Sequence, residues 1–181
     1  MDRYTFQAWV SLVNTLWVVG INLYEGWGSE IAMRACIVPV LVYNVFDLII
    51  GGEQYYKRDQ LTILHHFGAI GGMLYFRSVL QESYPDPLYI FTWWMLFGEI
   101  SSIFNNVRVI CGKTSYKDFS SKLFAIIFIP SRTLMTCGTI YSLQNFEHKT
   151  TPVIIAGIFA FLNIYWGIAI VKKVFKSYKK D

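Results

Sequence analysis

Ionisable side chains lie inside long apolar stretches of this 181-residue chain. The set comprises Asp47, His65, His66, Glu99 and Arg132. A charge near the centre of a bilayer costs roughly 2.5–3.5 kcal/mol on insertion scales, so such residues usually face a bundle interior and mark function. A histidine exchanges protons near neutral pH, and a nearby acid can orient its ring. These residue types favour proton transfer or ligand binding within a membrane.

The ligand count argues against a metal site. Adjacent helical residues point about 100° apart, so His65 and His66 cannot share one ion from one helix face. The third histidine, His148, falls in a loop predicted on the opposite side, and the three cysteines form no CxxC pair. No HExxH motif occurs either. The sequence therefore predicts neither a metal nor a cofactor.

Six apolar segments must position these side chains, and each has the length of about 20 residues that a membrane span needs. The predicted spans are Phe6–Tyr24, Met33–Gly52, Leu61–Leu80, Leu88–Val107, Phe119–Leu143 and Pro152–Val171. Charged residues make up only 15% of the chain, too few to solvate the surface of a soluble domain. The predicted fold class is all-α, a polytopic membrane bundle of about six helices, in a single domain over residues 1–181.

The loops between these spans differ in charge. One side carries twelve basic residues and the other carries three. The first group is Arg3, Lys57, Arg58, Arg108, Lys113, Lys117, Lys122, Lys172, Lys173, Lys176, Lys179 and Lys180, and the second is Arg34, Arg77 and Lys149. The positive-inside rule therefore places both termini in the cytosol. Because the basic residues follow the loops and the C-terminal tail, we expect no nucleic-acid partner.

This topology puts the polar residues of several spans at a similar depth, in the middle or cytosolic half of the membrane. The predicted intramembrane set is Asp47, His65, His66, Glu99, Ser102, Asn106, Arg132 and Asn163. Ser102 and Asn106 follow Glu99 at i+3 and i+7, on one helix face. We expect a polar cavity that opens toward the cytosol and binds lipid.

Structural interpretations stay open beside the functional ones. Asn163 could join two helices through a hydrogen bond. Glu99 and Arg132 could form a buried structural pair, in which loss of one partner typically costs about 3–5 kcal/mol. Asp47 could be a partly hydrated acid at a helix end.

Two glycines and one proline predict local features of the helices. Gly68 and Gly72 form a small-xxx-small pair that would let a neighbouring helix approach closely. Pro130 removes a backbone donor within the fifth span, so we expect a kink there.

Four stretches of sequence, YNVFDLIIGG, LTILHHFGAIGGMLYF, LFGEISSIFNNVRV and NIYWGIAIVKKVFK, together resemble the TLC family. That family groups translocating-chain-associating membrane proteins, longevity-assurance ceramide synthases and a neuronal ceroid lipofuscinosis protein. The similarity is strongest over residues 43–175. It implies a membrane bundle of six or more helices in the endoplasmic reticulum or a related endomembrane, and a role in lipid metabolism, sensing or transport.

The family resemblance also bears on chemistry. Ceramide synthases carry a longer motif after the histidine pair, ending in His-Asp and a further aspartate. This chain lacks that motif, and Glu99 and Asn106 stand roughly where those acids would fall. The chain is thus more similar to small TLC proteins of lipid homeostasis, with membrane lipids as partners.

Two other functions stay open. One is an N-acyltransferase with acyl-CoA as co-substrate, in which His65 or His66 acts as base, Asp47 or Glu99 orients it and Arg132 lies near an anionic group. The other is a membrane cargo receptor.

Overall fold

The computed structural model describes the fold for residues 2–58, 60–79, 86–144 and 150–178. Its helices are α1 (Arg3–Glu25), α2 (Glu30–Arg58), α3 (Gln60–Val79), α4 (Asp86–Thr92), α5 (Glu99–Ile110), α6 (Lys117–Leu143) and α7 (Thr150–Tyr178). A π-helical segment, Trp93–Gly98, joins α4 to α5. No strand occurs in the described ranges, so the predicted all-α class is confirmed. His148 and the last three residues lie outside the described part.

Four of the described helices have the length and apolar composition needed to cross a membrane. They are Arg3–Glu25, Glu30–Gly52, Lys117–Leu143 and Thr150–Lys173. These four correspond to the predicted first, second, fifth and sixth spans. Large apolar side chains such as Val13, Ile49, Ile126 and Ile164 are exposed on their outer faces, as contact with lipid tails requires.

The turn between α1 and α2 is fixed by local hydrogen bonds and two glycines. Gly26 and Gly28 have φ angles of +87° and +72°, a left-handed region that favours glycine. The Ser29 hydroxyl then accepts from the Ala32 backbone N–H at 3.2 Å and caps α2. The Gly28 N–H donates to Thr92 Oγ1 at 3.1 Å, which ties this turn to the end of α4.

A close approach occurs at one of the two α3 glycines. A Cβ added at Gly72 would lie 3.1 Å from the Trp94 ring, which is tighter than ordinary contact, whereas one added at Gly68 would lie at an ordinary 3.6 Å from the Phe159 ring of α7. Trp94 therefore packs directly on the α3 backbone. Helix α6 continues through Pro130 from Lys117 to Leu143, so the proline does not end it.

The bundle is divided along its length into an apolar half and a polar half. Its main hydrophobic cluster comes from the parts of the helices near the α1–α2 turn. The members of the cluster are Val18, Met33, Cys36, Ile37, Val40, Met73, Phe76, Val79, Ile90, Phe91, Trp94, Met95, Met135, Ile155 and Phe159. Because neighbouring helices run in opposite directions, the remaining half collects the start of α1, the ends of α2, α5 and α7, and the start of α3.

Candidate functional site

Two adjoining cavities occupy the polar half of the bundle. The larger, here called the outer cavity, has a volume of about 470 Å³, and the smaller, here called the inner cavity, about 80 Å³. Six residues line both: Ser11, Tyr43, His65, His66, Ser102 and Arg132. Asp47 and Asn106 line the outer cavity and Glu99 lines the inner one. The structure thus brings together seven of the eight predicted polar residues, and Asn163 is absent from the described walls.

A buried pair of side chains joins α2 to α3 at the outer cavity. His66 Nε2 lies 2.9 Å from Asp47 Oδ2, and the two residues are only 5% and 3% exposed. The carboxylate also accepts from Gln7 Nε2 at 3.3 Å and from the Tyr55 hydroxyl at 2.5 Å. The interpretation of Asp47 as a partly hydrated helix-end acid is therefore wrong, because three protein donors take the place of water.

The second ring nitrogen of His66 also has a hydrogen-bond partner. His66 Nδ1 lies 2.6 Å from Asn44 Oδ1. The amide nitrogen of Asn44 donates to the Val40 carbonyl at 2.8 Å, which fixes the amide with its oxygen toward the ring. An amide oxygen can only accept, so His66 Nδ1 must carry a proton.

The proton count makes the Asp47–His66 pair neutral overall. His66 donates from Nδ1 to Asn44, and one further proton lies between Nε2 and Asp47. Whichever atom holds that proton, the pair has no net charge, and His66 has no free lone pair. Burial and the hydrogen bond to Asp47 raise the pKa of Tyr55, which lies beyond the apolar part of α2, so its hydroxyl stays a donor.

His65 is in a different situation, although it is the adjacent residue. Its ring packs edge-on against Phe159 and Trp166, with centroid distances of 5.3 and 5.5 Å. Its Nδ1 atom is buried and has no hydrogen-bond partner among the described residues. Of the two histidines, His65 is therefore the one whose ring nitrogen is available to a ligand in the cavities.

Arg132 binds hydroxyl groups rather than a carboxylate. Its Nε donates to Ser101 Oγ at 2.9 Å and its Nη2 to Ser102 Oγ at 3.5 Å. Among the described residues, no ion pair of 4 Å or less joins it to Glu99. The predicted Glu99–Arg132 pair is therefore not formed as a direct contact, and the guanidinium can face a ligand.

Asn163 is buried on α7 between two aromatic residues that contact His65. It is 8% exposed, and neither atom of its amide group has a described hydrogen-bond partner. The interpretation of Asn163 as a hydrogen bond between helices therefore finds no partner within the described ranges.

Helix α1 contributes polar residues that the sequence reasoning missed. Ser11 Oγ accepts from the Tyr43 hydroxyl at 2.9 Å and from Asn106 Nδ2 at 2.8 Å, so it links α1, α2 and α5. A signal was present in the sequence. Gln7, Ser11 and Thr15 recur every four residues and form a buried polar stripe on an otherwise apolar helix.

A third cavity is lined mainly by apolar residues and lies between α6 and α7. This apolar cavity has a volume of about 390 Å³, and its walls include Ile140, Leu143, Val153, Ala156, Gly157 and Ala160. Trp94, Met135 and Phe159 line both the apolar cavity and the inner cavity. The three cavities therefore form a series that passes from polar to apolar walls.

Within the described ranges, no three His, Cys, Asp or Glu side chains converge as metal ligands would. Comparison of the chain with protein-family models, with curated proteins and with solved structures finds no match. The TLC resemblance therefore stays a prediction, and the function has to be argued from the site itself.

The Asp47–His66 pair generates a stability prediction. Asp47→Asn and His66→Gln should each destabilise the purified protein by about 3–5 kcal/mol, because each leaves a buried partner uncompensated. The double variant should lose less than the sum of the two. Thermal unfolding in detergent measures both effects.

The exposed Glu30–Arg34 pair, with its atoms 2.5 Å apart, is the matched control. Breaking it should cost at most about 0.5 kcal/mol, as for other solvent-exposed pairs on one helix. Strictly additive losses at Asp47 and His66 would show that the two side chains are not coupled.

Proposed function

We propose that the protein is an integral membrane protein of the TLC type that binds a lipid, or its acyl chain, and serves membrane lipid homeostasis. The observation that carries this proposal is the series of cavities. A polar outer cavity shares wall residues with the inner cavity, which in turn shares Trp94, Met135 and Phe159 with an apolar cavity between α6 and α7. A lipid has the same sequence of polarity, from headgroup to hydrocarbon chain, and no soluble polar metabolite does.

The walls between the cavities suit a flexible chain. Met135 is unbranched and adaptable, and it separates the inner cavity from the apolar one together with Trp94 and Phe159. The indole N–H of Trp94 donates to Thr139 Oγ1 at 2.8 Å, so this aromatic side is fixed. We infer that a hydrocarbon chain lies between a fixed aromatic wall and a movable methionine.

The membrane topology proposed with this function has six spans and cytosolic termini, in the endoplasmic reticulum or a related endomembrane. Helix α3 has 20 residues, about 30 Å at 1.5 Å per residue, and one of its two histidines is neutralised by Asp47. Residues 86–110 run without a break through α4, the π-helical segment and α5. Both stretches therefore have the length of a span, which supports the count of six.

An N-acyltransferase is the second candidate, and the uncommitted ring of His65 favours it. In that reaction an amine nitrogen attacks the thioester carbonyl of acyl-CoA, a C–N bond forms and the C–S bond breaks. The base takes the amine proton and the CoA thiolate leaves. The buried Nδ1 of His65 is the described ring nitrogen without a partner, whereas His66 is held by Asn44 and Asp47. A cargo receptor has less support, because α1–α2 and α2–α3 connections are short.

Filling the apolar cavity should reduce lipid binding. A Cβ added at Gly157, in the wall of that cavity, meets no atom within 4 Å, so Gly157→Leu places its side chain into the open space. We expect the amount of lipid that co-purifies to fall several-fold, measured by mass spectrometry of the extracted lipid.

Gly167→Leu is the matched control, because Gly167 lies on the same helix, has equally open space and lines none of the three cavities. It should leave bound lipid unchanged. An equal loss of bound lipid in both variants would contradict lipid binding in the apolar cavity. Absence of lipid from the unaltered protein would contradict the proposed function.

The two candidate functions differ in what His65→Ala does. If the site only binds, this variant should change which lipids co-purify, and the unaltered protein should form no product from long-chain acyl-CoA and a panel of sphingoid and glycerolipid amines. Product formation that falls by about 10²–10⁴-fold in His65→Ala, the usual contribution of a catalytic base, would favour the acyltransferase instead. Product assays and lipid extraction from the same preparation separate the two.

The proposed topology is tested by introduced glycosylation sites, since the chain has no Asn-x-Ser/Thr acceptor of its own. An acceptor placed within 81–87 should be glycosylated in microsomes, and one placed after Lys173 should not. The reverse pattern would overturn the proposed orientation.

A further inference from the structure

The outer cavity has an excess of positive charge. Its described walls carry three cationic side chains, Arg108, Arg132 and Lys173, and a single acid, Asp47. That acid is already neutralised by His66, so it offers no charge to the cations. None of the three cations forms an ion pair of 4 Å or less with a described acid, although Glu99, in the wall of the inner cavity, interacts electrostatically with Arg132.

Arg108 is held in place with part of its hydrogen-bonding capacity unused. Its Nη2 donates to Asn105 Oδ1 at 2.8 Å, and its guanidinium lies over the Phe124 ring, 5.1 Å from the centroid. Its Nε atom is buried and has no described partner. A buried N–H group of a cation that lacks an acceptor is costly unless a ligand supplies one.

Arg132 is held in the same way by Phe128, which lies one helical turn after Phe124 on α6. Its guanidinium lies 5.5 Å from the Phe128 centroid, and the Phe124 and Phe128 rings are 5.5 Å apart. Four residues of helix rise about 6 Å, so the two rings support the two guanidinium groups at successive depths of the cavity. Aromatic faces attract a guanidinium without neutralising its charge.

We propose that the outer cavity is a site for an anionic group, a phosphate or a carboxylate, bound between Arg108 and Arg132 with Lys173 at the mouth. Guanidinium groups present several N–H donors in a planar fork that matches both kinds of oxyanion. This inference rests on the proposed function, and it specifies the lipid as one with an anionic headgroup. Its chain would extend past the inner cavity into the apolar one.

The test compares two lipids with the same oleoyl chain, lysophosphatidic acid and monooleoylglycerol, which has no charged group. The full-length protein in a neutral detergent should bind the anionic lipid about tenfold or more tightly, as expected for charge-assisted hydrogen bonds, and the preference should shrink as salt is added. Arg108→Gln and Arg132→Gln should each remove most of that preference by weakening the binding of lysophosphatidic acid. Competition with a fluorescent lipid measures the affinity of each of the three proteins for both lipids.

Two further variants keep the test decisive. Arg77→Gln removes a positive charge from the exposed end of α3 and should retain the full preference. Arg132→Lys keeps the charge but loses the fork, and it should retain part of the preference if Arg132→Gln folds poorly. If both Arg108→Gln and Arg132→Gln keep the preference for lysophosphatidic acid, the proposed site is overturned.

The outcomes also separate this inference from the proposed function. Equal affinity for lysophosphatidic acid and monooleoylglycerol would overturn the anion site and leave lipid binding intact. If inorganic phosphate competes as well as lysophosphatidic acid, and Arg108→Gln abolishes both, the anion site stands but its ligand is a soluble phosphate, and the lipid proposal fails. If neither of the two oleoyl lipids binds and phosphate does not bind either, both proposals fail.

Discussion

The neutral pair that Asp47 forms with His66 is the interaction on which the polar half of this bundle depends. A carboxylate on a helix that faces hydrocarbon must lose its charge or find partners, and Asp47 finds them on three segments: Gln7 on α1, Tyr55 on its own helix and His66 on α3. Asn44 then fixes the other face of the imidazole. These contacts hold α1, α2 and α3 together where the apolar cluster ends, and the space beside them becomes the outer cavity.

The same pair divides the tasks of the two histidines. Adjacent helical positions point about 100° apart, so only one ring can meet Asp47 and the other must face elsewhere. His66 is committed through both nitrogens, whereas His65 turns toward Phe159, Trp166 and the cavities. The histidine pair of this fold therefore consists of one structural residue, His66, and one residue available to a ligand, His65.

The sequence predicted a set of residues that would lie close together, but not which of them would bind each other. The predicted apolar segments bring Asp47, the histidines and Arg132 to adjoining cavities. Partner choice depends on rotation about each helix axis, which hydropathy does not encode. The π-helical turn before Glu99 alters that rotation by widening the helix, and Arg132 meets the hydroxyls of Ser101 and Ser102 instead of the Glu99 carboxylate. Gln7 and Ser11 were missed because single neutral polar residues barely lower the hydropathy of a span.

The hydrogen bonds of the two histidines support the proposed binding function more than the proposed acyltransferase. A general base needs a free lone pair and usually a third group that orients its ring. Asp47 could orient a histidine, but it is bound to His66, whose ring lies 5.6 Å from that of His65. The His65 ring packs against aromatic side chains, and its Nδ1 has no described hydrogen-bond partner that could orient it. In contrast to His65, Arg108 and Arg132 are oriented by serine and phenylalanine side chains, and they keep their charge. Such a set has the charge and the hydrogen-bond donors that the proposed anionic group would need.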